Sequence, residues 1–160
     1  MKALVVYDSA FGNTEKIARA IGDALKSKMD VEVCRVSDTK QEELTGLNLL
    51  IVGSPTQAFR ATSATNRFLK DIPSEGLRGI KVAAFDTRIA TSDIKSRVLR
   101  FLVNLFGYAA EPVSKKLSKK AGEVVIVPAG FLVADTEGPL KEGQLERAVT
   151  WAKRIIETMS

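Results

Sequence analysis

The chain has 160 residues, 45% hydrophobic and 27% charged, the size and balance of one globular domain that can bury a core without metals or disulfides. It contains no His and one Cys, which excludes Ser-His-Asp and Cys-His nucleophiles, His-based zinc sites, His acid–base catalysis and any internal disulfide. The charge is +5, and the excess is regional: Lys95, Arg97, Arg100, Lys115, Lys116, Lys119 and Lys120 lie in one stretch with Glu111 as its single acid. Such a stretch either steers acidic partners or anionic surfaces, or coats two solvated helices.

Ala3 to Tyr7 is a short apolar run that ends at Asp8. It reads as a strand buried on both faces and is too short for the core of an export signal. An amphipathic helix follows, with Ile17, Ile21, Ala24 and Leu25 on one face. Val31–Val36 is predicted as the second strand, and Cys34 in it reads as a small packed residue. Leu47–Val52 is the third strand, ended by Gly53-Ser54-Pro55. A helix is predicted over Ser63–Asp71, and Ile80–Phe85 is the fourth strand. Helical stretches fit Ser92–Phe106 and Glu111–Lys120, broken near Gly107. Glu123–Val127 is the fifth strand, interrupted by Pro128-Ala129-Gly130 and continued through Phe131–Val133. The last helix begins near Glu142, with Leu145, Ala148, Val149, Ala152, Ile156 and Met159 inward and Trp151 off that face.

The stretch Val98–Phe106 is apolar almost all round, so it wants cover on every side. Core burial is the first expectation. Contact with a second subunit, a lid beside a ligand, or a membrane surface touched through Lys95, Arg97 and Arg100 are the alternatives. No repeat or linker-like shift divides the chain, so residues 1–160 are expected to form a single unit. A lone thiol and the lack of any uncharged apolar run of membrane length predict a cytoplasmic protein without a transmembrane segment. No nucleic-acid partner is expected, and homo-oligomerisation is left open.

Strands alternating with helices predict an α/β fold with a doubly wound five-stranded parallel sheet and helices on both faces. In such sheets ligands bind beyond the carboxyl ends of the strands. The loop Ser9-Ala-Phe-Gly-Asn-Thr14 offers two hydroxyls, an amide and a Gly at a helix start, the makings of an anion site. Capping of the helix by Asn13 or Thr14 is the plainer reading. The loop holds no Lys and fails both the G-x-x-x-x-G-K-[ST] and G-x-G-x-x-G spacings. A receiver-type phosphoacceptor is also absent, since Gly53 stands where the third strand would need an Asp.

Tyr7-Asp-Ser-Ala-Phe-Gly-Asn-Thr14, followed by Glu15-Lys-Ile-Ala18, resembles the phosphate loop of flavodoxins, and Ile51-Val-Gly-Ser-Pro-Thr56 resembles their second flavin loop. The resemblance implies strand order 2-1-3-4-5 and bound FMN. It assigns the FMN phosphate to Ser9, Ala10, Phe11, Gly12, Asn13 and Thr14. It lays Ser54, Pro55, Thr56, Gln57, Ala58 and Phe59 along the isoalloxazine, with Phe59 as the stacking ring. It sets Asp86, Thr87, Arg88, Ile89 and Ala90 against the pyrimidine side. No catalytic residue and no metal are implied. The function implied is electron transport between a reductase and an acceptor protein. Redox partners, acidic ones in particular, would meet the Lys95–Lys120 region.

This chain departs from the family pattern in three ways. No aromatic lies between Asp86 and Asp93. Ser54–Arg60 has no Gly, so a peptide flip there would force Gln57 or Ala58 into a costlier conformation. Arg88 either sits near the flavin, favouring two-electron chemistry, or pairs with Asp86 or Asp93 at the surface. These departures carry two alternatives, an FMN-dependent NAD(P)H- or quinone-type oxidoreductase and a flavin-free interaction module.

Overall fold

The computed structural model describes residues 1–160. Its centre is a parallel sheet built from β1 (Lys2–Tyr7), β2 (Asp30–Arg35), β3 (Leu49–Pro55), β4 (Lys81–Ile89), β5 (Glu123–Val124) and β6 (Ala129–Val133). The order is β2-β1-β3-β4-β5, with β6 also pairing β4. The helices are α1 (Asn13–Leu25), α2 (Ser63–Asp71), α3 (Arg97–Phe106), α4 (Ala110–Lys119) and α5 (Gln144–Met159). The expected doubly wound order is thus observed, and α2 begins and ends at the predicted residues.

The apolar runs become central strands because alternate residues serve two cores. Ala3, Val5 and Tyr7 of β1 join Leu49 and Ile51 of β3 beneath α1 and α5. Leu4 and Val6 join Leu50 and Val52 beneath α2 and α4. The register brings Tyr7 opposite Gly53, and Ser54 and Pro55 opposite Asp86 and Thr87. The ends of β1, β3 and β4 therefore meet at one edge.

The fifth strand is two strands. β5 pairs with Lys81 and Val82, and β6 with Phe85 through Ile89, while the residues between them swell outward at Pro128, which has no N–H for the ladder. This swelling explains why Trp151 is buried, contrary to expectation. Its indole Nε1 donates to the freed carbonyl of Val127 at 3.3 Å, and its ring packs edge-on against Phe85 and Phe131 at 6.2 and 6.3 Å. The last helix consequently turns so that Trp151 and Ile155 face the core and Leu145 faces solvent.

The expectation of core burial for Val98–Phe106 is also overturned. β4 runs on to Ile89, and the chain then passes through a short 3-10 turn (Thr91–Asp93) before α3 starts at Arg97. The helix therefore lies past the end of the sheet, with no sheet face to cover it. Val103 is its only buried residue. Nor is the basic stretch one patch. α4 runs back along the sheet, so Lys116, Lys119 and Lys120 flank a groove with Arg67 and Lys70 of α2, while Lys95, Arg97 and Arg100 stay at the carboxyl end.

Truncating Trp151 to Ala is expected to cost about 3–5 kcal/mol in urea unfolding, the range for a buried large aromatic. Leu145→Ala, at a solvent-facing position of the same helix, should shift stability by less than about 0.5 kcal/mol.

Candidate functional site

At the first loop, Gly12 takes a left-handed conformation, φ 89°, that turns the chain into α1 without a capping side chain. The first-turn amides of α1 are consequently left without a side-chain cap at a positive helix end. The loop is fastened from behind. Arg35 Nη1 donates to the Ser9 carbonyl at 2.9 Å, the Gly12 amide donates to Ser9 Oγ at 3.0 Å, and Asp8 accepts from the Ser9 amide and the Thr62 hydroxyl. Tyr7 donates to Glu15 at 3.0 Å; burial, and then this carboxylate, push the Tyr7 hydroxyl above its usual range. Asn13 Nδ2 donates to the Glu137 carbonyl, and the Thr14 and Thr87 hydroxyls share a bond of 2.8 Å.

A slot of about 120 Å³ opens beside this loop. Ala10, Phe11, Asn13 and Thr14 form one wall, Pro55, Thr56 and Gln57 another, and Thr87, Arg88 and Ile89 a third, closed by Val133 and Thr136. Thr56 and Ile89 also border a chamber of about 610 Å³ beneath α3, which Ala58, Phe59, Leu99, Val103 and Tyr108 make mostly apolar. Its volume is that of ordinary small-molecule sites.

Five of the residues expected at the site line neither space, Ala90 among them, which leads into the 3-10 turn past β4. Ser9 and Gly12 form the back of the first loop. Ser54 is fully buried, its hydroxyl engaged with the Pro55 carbonyl and the Thr62 amide. Asp86 points into the α4 side, where its Oδ2 accepts from the Ala110 amide at 2.8 Å and both oxygens accept from Arg88 at 2.6 and 2.7 Å. Burial pushes the Asp86 carboxyl above the usual range, against the pull of Arg88 and the Ala110 amide. The Arg88 pairing is therefore with a core carboxylate and not at the surface. Tyr108 stacks on its guanidinium at 4.0 Å. Gly130 supplies the space on β6, since a Cβ there would lie 2.2 Å from that group.

The second loop folds as a two-residue turn, with Gln57 and Arg60 exchanging hydrogen bonds of 2.8 and 3.0 Å. Ala58 and Phe59 both take positive φ, 46° and 69°, a conformation that favours Asn-Gly. The Phe59 ring rests 5.8 Å from Phe106. Sequence reasoning passed over Arg35, Tyr108 and Gly130. Tyr108 had a legible signal, an aromatic just past the helix break at Gly107. Cys34 belongs to no site: burial, and then Glu32, push its thiol up to about 11.

A parallel sheet of this order, with uncapped helix amides after its first strand and a slot between the ends of its first, third and fourth strands, defines the doubly wound class of mononucleotide-binding folds. The flavodoxin-domain family model matches residues 4–133, and the chain belongs to the flavodoxin family. It is 30% identical over 161 residues to a flavodoxin of Maridesulfovibrio salexigens, covering 98% of this chain and 97% of that one. A flavodoxin of Aquifex aeolicus is 28% identical over 137 residues, 78% of this chain and 74% of that one. The solved structure of a flavodoxin from the domain Archaea superimposes with a TM-score of 0.78 at 25% identity, covering 99% of both chains. No helix is long and apolar enough to cross a membrane.

FMN is the cofactor of this family, and the residues present fit it. The uncapped amides of α1 and the Asn13 and Thr14 side chains suit a phosphate, the slot suits a polyol chain, and the larger apolar chamber suits a flat ring.

Replacing Arg88 with Met is expected to cost about 3 kcal/mol near neutral pH, because it strands a buried carboxylate. A carboxyl raised in the folded state takes up a proton on folding. The variant should therefore recover stability as the pH falls toward about 4 and lose it as the pH rises, which urea midpoints across pH will show. Ala58→Gly is expected to raise stability by about 0.5 kcal/mol by relieving the left-handed Ala, less the entropy that Gly adds to the unfolded chain.

Proposed function

We propose that this chain is an FMN-dependent electron-transfer protein that shuttles electrons between a reductase and an acceptor protein in the cytoplasm. The observation that carries the reading is the uncapped N-terminus of α1 beside a slot that shares Thr56 and Ile89 with a ring-sized chamber. When bound, FMN supplies one- and two-electron redox chemistry at its ring.

The protein's part is to bind and position. The α1 amides, Asn13 and Thr14 hold the phosphate end, with Arg35 and Asp8 fixing the loop that presents them. Thr56, Thr87 and Ile89 guide the chain between slot and chamber. Phe59 and Tyr108 furnish aromatic surface in the chamber, and Tyr108 stands in for the aromatic missing between Asp86 and Asp93. Arg88 contributes little free charge, because Asp86 neutralises it at two oxygens. This pairing weakens the reductase alternative, which drew on an unpaired cation near the ring. The uncapped anion site weakens the flavin-free alternative.

Of the basic stretch, Lys95, Arg97 and Arg100 are the cations on the site's side. They are the residues an acidic redox partner would meet there, in an encounter that slows as salt is added.

Fluorescence titration of the apoprotein should quench FMN with a Kd below about 1 μM, and riboflavin, lacking the phosphate, should bind at least about tenfold more weakly. Thr14→Ala and Asn13→Ala should each weaken FMN while leaving riboflavin unchanged. Equal affinity for the two flavins would remove the phosphate assignment, and no binding of either would remove the electron-transfer reading.

A further inference from the structure

We propose that α3 is a docking element for an anionic lipid surface. Along this helix Val98, Phe101 and Leu105 fall at i, i+3 and i+7 and form one row, exposed at 68%, 64% and 62%. Phe106 widens the row and is likewise exposed. Arg97, Arg100 and Asn104 form the adjoining row at the same spacing. Val103 is the one buried residue of the helix, Leu99 joins it along the chamber and the Phe106 ring lies near Phe59, so the row of Val98, Phe101 and Leu105 projects outward. Three cations, Lys95, Arg97 and Arg100, gather at its N-terminal end, and no acid occurs between Asp93 and Glu111. Asp93 itself is paired with Lys141.

An apolar row beside a basic row on a projecting helix is the arrangement that lies in a membrane interface, with the side-chain tips among the acyl chains and the cations among the headgroups. The charge selects the anionic surface. A second copy meeting α3 face to face would bring its own Arg97 and Arg100 to the same seam with no acid to answer them. An acidic redox partner can meet the cations in a salt-sensitive encounter and leave the apolar row uncovered, whereas a bilayer takes up the cations and the convex row together. In the docked state the chamber beneath α3 lies beside the surface.

The test is co-sedimentation of the full chain with vesicles of phosphatidylcholine alone and of phosphatidylcholine mixed equally with phosphatidylglycerol, at low salt. The chain is expected to pellet with the anionic vesicles and to stay in solution with the neutral ones. Phe101→Glu combined with Leu105→Glu should lower partitioning by at least about tenfold, and Arg97→Glu combined with Arg100→Glu should do the same. Both pairs are exposed, so urea midpoints and FMN affinity should hold. Lys116→Glu with Lys119→Glu, at the other end of the sheet, should leave partitioning within about twofold.

Failure to bind anionic vesicles overturns the proposal, as does binding that the Phe101 and Leu105 changes leave intact. A dimer seen by light scattering and dissociated by Phe101→Glu assigns the row to a second copy instead. Retention on immobilised polyglutamate that depends on the arginines alone, with vesicles unbound, leaves the cations to the acidic redox partner only and overturns the lipid surface.

Discussion

Asp86 stands within β4, toward its carboxyl end, with a carboxylate that has no access to water, and such a group is stable there only when every neighbour answers it. Arg88, two residues on, meets both oxygens, and the Ala110 amide meets one of them. The second contact places the negative charge at the N-terminus of α4, where the helix dipole favours it. One group thus ties β4 to the start of α4 and sets how Arg88 is aimed. Gly130 on the neighbouring strand and Tyr108 before α4 close around the guanidinium. The third wall of the slot is rigid because this pair cannot relax without exposing a charge to the core.

The first wall is made differently. Its strength lies behind the loop, in Arg35 at the end of β2, Asp8 at the end of β1, and Thr62 at the start of α2. These residues use up the polar groups that face away from the slot, leaving the amides of α1 facing toward it. A binding surface that must offer unpaired donors needs such external bracing, since donors left free in a loose loop would find partners within the loop itself.

Much of the architecture was legible because buried parallel strands are written as unbroken apolar runs. Ala3–Tyr7 and the residues around Leu49–Val52 could hardly be anything else. The slot's first wall was legible too, since a Gly-containing loop between a buried strand and a helix has few uses. What failed were the places where a side chain answers a distant backbone group. Trp151 looked misplaced on its helix because its partner, the Val127 carbonyl, is freed only by an interruption 24 residues away. α3 looked like core because periodicity reports that a face is apolar and not whether anything stands opposite it. Gly130 gave no sign of its role, since the reason for its missing side chain is an arginine on the next strand.

The slender attachment of α3 has a consequence for how this protein can change over generations. Residues that build a core are constrained jointly, and most substitutions among them erode a narrow margin of stability. The outer row of α3 contributes almost nothing to that margin. Its side chains can be exchanged one at a time while the sheet, the slot and the Asp86 pair stay as they are. The molecule thus combines a jointly constrained interior with one arm whose outer row can change without disturbing it, and a lineage carrying this fold could retarget the arm without re-evolving the site beside it.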